Sequence, residues 1–309
     1  MTAQSPPSEP EAIFIVGASR SGTSLMRTLL QRSPRIALAP ENHFLGHVRA
    51  SEGARFYFRR AGDLASDATI RRIVEMIYGG EYARLSRWRE LSTFWRWLVN
   101  NVQRDDMERR LLAAERTERG VFAAFLRAYA DTLERPIMGE KTPAHVAHVD
   151  ELLSWFPTGR VIHMMRDPRA VYVSDLRRRR GKLRRPYSWF AKVPGLLPFV
   201  ILLQTAVVWR RAVKHHTRYA RRYPGSYKLV RFEDLVSENE RTLRDIYQFL
   251  GVEMPEDATE VVVVSSGFSA GRQGFDAEAA DRWRSQIGRF ARRALDVLLS
   301  RPLDTMGYG

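Results

Sequence analysis

Residues 12–17 read AIFIVG and run straight into the turn Gly17-Ala-Ser-Arg-Ser-Gly-Thr-Ser24. An amphipathic pattern from about Thr23 to Gln31 follows. A continuous apolar run bounded by glycine is a strand buried on both faces, and the spacing after the turn predicts a helix. A strand, a tight Gly/Ser turn and a helix form the opening unit of a parallel α/β fold, which leaves few other architectures open. The turn also has a chemistry. Free backbone N–H groups and the positive end of the helix dipole converge there and favour an oxyanion. Gly17 and Gly22 let the backbone curl closely, and Ser21, Thr23 and Ser24 add hydroxyl donors.

Further strands are expected at 36–39, 135–140, 160–165 and 227–232, each a short apolar run separated from the next by helical spacing. Roughly 55–134 carries helical periodicity alone, with Phe122, Phe125, Leu126 and Tyr129 on one face. The expected fold class is therefore α/β: a P-loop-like, three-layer core around a central parallel sheet, with a helical insertion. The polar, proline-rich residues 1–11 read as a flexible lead-in without a secretory signal, and 12–309 as a single domain. The chain has no cysteine, which excludes a thiolate nucleophile or metal site. Its seven histidines show no metal-ligand spacing, and no metal is expected.

The nucleotide-triphosphate form of this turn needs G-x4-G-K-[ST], whose lysine reaches the terminal phosphates. Thr23 stands in the lysine's place, and Arg20 is the only cation within the turn. A nucleotide kinase is accordingly the weaker enzymatic alternative. A second cluster, RVIHMMRDPRAVYVSDLRRRR from Arg160 to Arg180, places Arg166 at a strand's end and Ser174 two turns into the next helix. Asp167 and Arg169 in the same run suit a helix cap and a salt bridge.

The segment SRSGTSLMR, from Ser19 to Arg27, resembles the 5′-phosphosulfate loop of sulfotransferases that use 3′-phosphoadenosine 5′-phosphosulfate (PAPS). The wording is similar to that of the tyrosylprotein sulfotransferases and their bacterial relatives. The resemblance implies that Arg20, Ser21, Gly22, Thr23 and Ser24 hold the 5′ end of PAPS. It implies that Arg166 and Ser174 hold the 3′-phosphate, and that Phe232 in YKLVRFEDLV stands by the adenine. Ser266 and Arg282, before Trp283, match a closing segment of the 3′-phosphate site. Lys141 in MGEKTP and Arg20 resemble the cations that offset charge on the leaving oxygen. Glu41 stands 21 residues beyond Arg20, where the tyrosylprotein enzymes place a general base. Imidazole titrates near neutrality unaided, so His43 is the competing or assisting group. The implied activity is sulfuryl transfer from PAPS to an acceptor hydroxyl, leaving 3′-phosphoadenosine 5′-phosphate.

The net charge of +15 is local. Between Arg177 and Arg222 stand 14 Lys/Arg and no acid, while the rest of the chain, 36 cations against 35 acids, is nearly neutral. The same stretch contains the apolar run PGLLPFVILLQTAVVW and the aromatics Tyr187, Trp189 and Phe190. Residues 177–223 are therefore expected to form a mobile basic and apolar lid. The expected partners are an anionic membrane surface and a hydroxyl acceptor that is lipid-linked or anionic. Cations and aromatics do not alternate as in a nucleic-acid binder, so no nucleic acid is expected. The expected location is the cytoplasm, with membrane association. A non-catalytic membrane-surface or polyanion-binding protein on a degenerate nucleotide fold is the reading from outside enzymes. Oligomeric state is left open.

Overall fold

A computed structural model describes residues 9–46, 53–82, 93–181, 187–260 and 275–309. Five parallel strands form one sheet: β1 (Ala12–Gly17), β2 (Ile36–Ala39), β3 (Ile137–Lys141), β4 (Arg160–Met165) and β5 (Tyr227–Arg231), in the order β2-β3-β1-β4-β5. Three of these match the expected bounds. β3 begins two residues late because Pro136 has no N–H for the ladder. β5 ends at Arg231, and Phe232 opens a helix instead of closing the strand.

The apolar runs are explained by burial on both faces. On β1, Ala12, Phe14 and Val16 enter one core with the helical insertion, where Phe122, Phe125, Leu126 and Tyr129 are all buried. Ile13 and Ile15 enter a second core with Met26, Leu29 and Leu30 of the first helix, Thr23–Leu30. Successive residues of a strand face opposite ways, so AIFIVG must be apolar throughout.

The insertion supplies helices at Ala54–Ala61, Asp67–Tyr78, Thr93–Asn101, Arg104–Ala113 and Glu118–Asp131. Arg27 ties the first helix to it, donating to the Leu38 carbonyl at 2.6 Å and the Tyr129 hydroxyl at 2.9 Å. The lead-in is anchored at its inner end, where Glu9 receives two hydrogen bonds from Arg35 at 2.5 and 2.7 Å.

The expected lid is a different object. Leu196–Arg222 is one helix of 27 residues, long and apolar enough by composition to cross a membrane. Its inner face, including Ile201, Leu202, Ala206, Trp209 and Val213, is buried in a third core with helices Pro168–Gly181 and Arg289–Leu298. Burial of one face in a core fixes this part of the expected 177–223 lid to the body of the protein, and residues 182–186 of that segment lie outside the described residues.

Candidate active site

Parallel strands bring all five C-terminal ends to one edge, and each end delivers a residue singled out from the sequence. Arg20 follows β1, Glu41 follows β2, Lys141 ends β3, Arg166 follows β4 and Phe232 follows β5. The chain leaves β1 toward β2 on one side and leaves β4 toward β5 on the other. The crevice between β1 and β4 is thus the switch point at which open α/β sheets bind ligands.

The turn after β1 is tightly fixed. A Cβ at Gly17 would lie 2.3 Å from the Met164 carbonyl oxygen, and one at Gly22 would lie 2.5 Å from the Phe232 ring. Gly22 is the left-handed N-cap of the first helix, which has no side-chain cap and no acid in its first turn. Its N–H groups and positive dipole end are left to an external anion. Ser21 is fully buried, yet its hydroxyl has no hydrogen-bond partner among the described residues. Such a group is costly unless something else satisfies it. Thr23 is buried as well, whereas Ser24 is exposed.

Arg20 itself sits at φ 74°, a strained position for a side-chain-bearing residue. Its Nε donates to Ser174 Oγ at 3.0 Å. The sequence pairs Ser174 with Arg166, but the structure pairs it with Arg20. Arg166 instead lies 4.0 Å over the Phe232 ring and donates to the Ala279 carbonyl at 2.6 Å, while its own carbonyl accepts from Trp209 Nε1 at 2.9 Å. Phe232 is therefore wedged between Gly22 and Arg166, with the Arg166 guanidinium over its ring. Burial, and next the Arg20 charge, pull Arg166 down to about 10 against the attraction of Glu233. Burial and the nearby Arg178 likewise lower Arg20. Two half-buried cations side by side, each lowered by burial, favour the approach of an anion.

The other residues of the RDPR run brace this cradle. Asp167 accepts from the Arg169 N–H at 2.7 Å, which caps the helix, and pairs with the Arg169 guanidinium at 2.9 Å. Glu233 accepts from the Asp167 N–H at 3.0 Å and from the Tyr308 hydroxyl at 2.8 Å, so it is a brace and not a metal ligand. Arg282 is held by Asp276 at 2.7 Å and Glu278 at 3.7 Å, within its own segment, so an incoming phosphate would have to join or displace those acids. Ser266 lies outside the described residues. No group of acids and histidines among the described residues could hold a metal.

Across the edge, Lys141 and His43 converge on Glu41. Lys141 Nζ lies 2.5 Å from Glu41 Oε1, and His43 Nε2 lies 3.3 Å from Glu41 Oε2. Burial works to raise the Glu41 carboxyl. The His43 hydrogen bond and the Lys141 charge more than offset it and hold the group at about 2.

Sequence reading missed what lies beneath. Glu140 is almost wholly buried; it accepts from Thr142 Oγ1 at 2.5 Å and contacts His145 Nδ1. His145 Nε2 accepts from the Leu45 N–H at 3.2 Å, which leaves Nδ1 to carry the proton and donate to Glu140. Thr142 Oγ1 accepts from the Asn42 N–H at 3.3 Å, and the Asn42 carbonyl accepts from Trp95 Nε1 at 2.9 Å. The Glu41–His43 loop is thus pinned on both flanks by one buried carboxylate. A signal was present in IMGEKTPAH: an acid inside an otherwise apolar strand must have partners, and Thr142 and His145 were two and five residues away.

The sheet, its switch-point crevice and the lysine-less anion turn define the chain as a P-loop-like α/β protein. The model of the sulfotransferase family matches residues 10–256, and the chain belongs to that family. Over 184 residues it is 26% identical to carbohydrate sulfotransferase 2 of Mus musculus, a match covering 48% of this chain and 34% of that protein. Over 173 residues it is 28% identical to carbohydrate sulfotransferase 6 of Homo sapiens, covering 48% of this chain and 41% of that protein. The matched region therefore spans well under half the length of these relatives. The fold is shared with two solved structures. One is the sulfotransferase domain from the curacin biosynthetic pathway (TM-score 0.57, 17% identity, 97% of this chain and 98% of that one). The other is the sulfotransferase domain from the Synechococcus PCC 7002 olefin synthase (TM-score 0.53, 20% identity, 95% and 97%).

Proposed function

We propose that this sulfotransferase takes its sulfuryl group from PAPS and passes it to an acceptor hydroxyl by in-line displacement, with Glu41 as general base. The observation that carries the reading is the Arg20–Ser174 contact of 3.0 Å beside Arg166, which gathers the proposed 5′ and 3′ anion ligands into one crevice. The turn N–H groups, Ser21, Gly22, Thr23 and Ser24 receive the 5′-phosphosulfate, with the unpartnered Ser21 hydroxyl as one ready donor. Arg166 and Ser174, with Arg282 and Ser266 closing, receive the 3′-phosphate. Phe232 acts by holding Arg166 in place.

In the reaction the acceptor oxygen bonds to sulfur as the bond from sulfur to the bridging phosphate oxygen breaks. The acceptor proton goes to Glu41, and the bridging oxygen departs with the electron pair. Arg20 and Lys141 offset the charge that grows there, and His43 orients Glu41. The Lys141–Glu41 ion pair is incompatible with both assigned tasks. At about 2 the carboxyl is ionised but a feeble base. When Lys141 turns to the sulfuryl group, Glu41 loses that partner and burial raises its basicity. Donor binding thereby arms the base.

Thermal shift tests the donor assignment. Stabilisation by 3′-phosphoadenosine 5′-phosphate but not by ATP is expected. Stabilisation by ATP alone would favour a kinase-like site, and by neither the non-catalytic binder.

A further inference from the structure

The helix Leu196–Arg222 is buried along one face only. Phe199, Leu203 and Val207 recur every four residues on the opposite face, and each is more than 40% exposed. Trp189, on the short helix just before it, is 60% exposed. Farther along the same helix the exposed positions turn basic at Arg210, Arg211 and Lys214. Those three have no acidic partner among the described residues, whereas Arg218 and Arg222 pair with Asp150. The helix carries no acid at all. Solvent has no use for an apolar row at the head of a cationic one.

We infer that this outer face docks on the surface of an anionic phospholipid bilayer. In that arrangement the helix lies in the interface plane, with Phe199, Leu203 and Val207 in the acyl boundary. Trp189 sits at the headgroup level, and Arg210, Arg211 and Lys214 meet lipid phosphates. Spanning the bilayer is excluded by the buried face. Extraction of the helix would strip Trp209 from the third core and break its hydrogen bond to the Arg166 carbonyl. A two-fold copy of the chain fits poorly, because a self-complementary contact would set cations against cations or against the apolar row. The bilayer alone satisfies both halves of the face. This proposal does not depend on which reaction the crevice performs.

Flotation of the full chain with vesicles of phosphatidylcholine, with or without phosphatidylserine, tests it. Binding to the anionic vesicles and loss of that binding in high salt are expected. The variant R210E/R211E/K214E should lower the partition coefficient by about a hundredfold or more, since the three lost cations alone are worth about 1 kcal/mol or fivefold each. The variant F199S/L203S/V207S should lower it by about tenfold or more. The melting temperature of each variant without ligand should stay close to that of the parent and shows that both are folded. Equal partition onto neutral and anionic vesicles, or indifference to both variants, overturns the proposal. So does a dimer in sedimentation that the serine variant dissociates while no vesicle binding is seen.

Discussion

The two sides of the sheet's C-terminal edge differ in how their charges are satisfied. Beside β1 and β4, Arg20 and Arg166 lie together with no direct ion pair to a carboxylate among the described residues, and burial depresses both. Beside β2 and β3, every carboxylate is saturated: Glu41 by Lys141 and His43, Glu140 by Thr142 and His145. One side is short of an anion and the other has its anions fully engaged. The polyanionic donor of the proposed reaction, entering the first side, would resolve both conditions at once. It supplies the missing counter-charge and offers Lys141 a better partner than Glu41. Under the proposed mechanism the asymmetry keeps Glu41 idle until the donor is in place.

The strongest way to break this comparison is Glu41→Gln. Loss of the base should lower turnover by about 10²–10⁴-fold, the usual range for general-base removal. Affinity for 3′-phosphoadenosine 5′-phosphate, set on the β1/β4 side, should stay within a few-fold. Turnover within a few-fold of the parent enzyme, measured with saturating donor, would remove Glu41 from the mechanism and leave His43 as the candidate.

Next in size is Lys141→Met, read through pH. Glu41 must be ionised to act, so activity falls as pH drops through its folded value. With Lys141 present that value is about 2, and no Glu41 limb should be visible in kcat/KM between mildly acidic and neutral pH. Without Lys141, burial pushes upward against the remaining His43 hydrogen bond. The residual activity should then acquire an acid limb displaced upward toward or beyond the ordinary carboxylate value of 4.5. Identical acid profiles for both proteins would show that the ion pair does not hold the base in check.

The donor side of this contrast was legible in the sequence and the base side much less so. AIFIVG, the Gly17–Ser24 turn and the RDPR run are local patterns, since each needs only its own neighbours to define a strand end or a helix start. The Lys141–Glu41 pair depends on β2 lying beside β3, 100 residues away in sequence, which no local pattern reveals. The Arg20–Ser174 contact spans 154 residues and depends on the left-handed turn at Arg20. The long helix misled for another reason. Both of its faces are apolar for three turns, so the stretch 194–209 carried no visible inward side, although Ile201, Thr205, Trp209 and Ala212 do recur at core spacing.

The smallest expected effect, Glu140→Gln, sharpens the comparison because it touches the base side without touching a reacting group. The Glu140 carboxylate accepts on both oxygens, from Thr142 and from His145. A glutamine keeps one acceptor and turns an NH2 toward a donor, which leaves buried polar groups unsatisfied at about 1–3 kcal/mol. The melting temperature should drop by about 2–4 °C for each kcal/mol lost. The loop of Glu41 and His43, no longer pinned through Asn42 and Leu45, should lose about tenfold in kcat, consistent with misplacement of a catalytic group. Affinity for 3′-phosphoadenosine 5′-phosphate should hardly change, because among the described residues Arg20, Ser174 and Arg166 share no hydrogen bond with Glu140, Thr142 or His145. A parallel fall in kcat and nucleotide affinity would mean that the two sides are one rigid body, and that the division drawn between them has no energetic content.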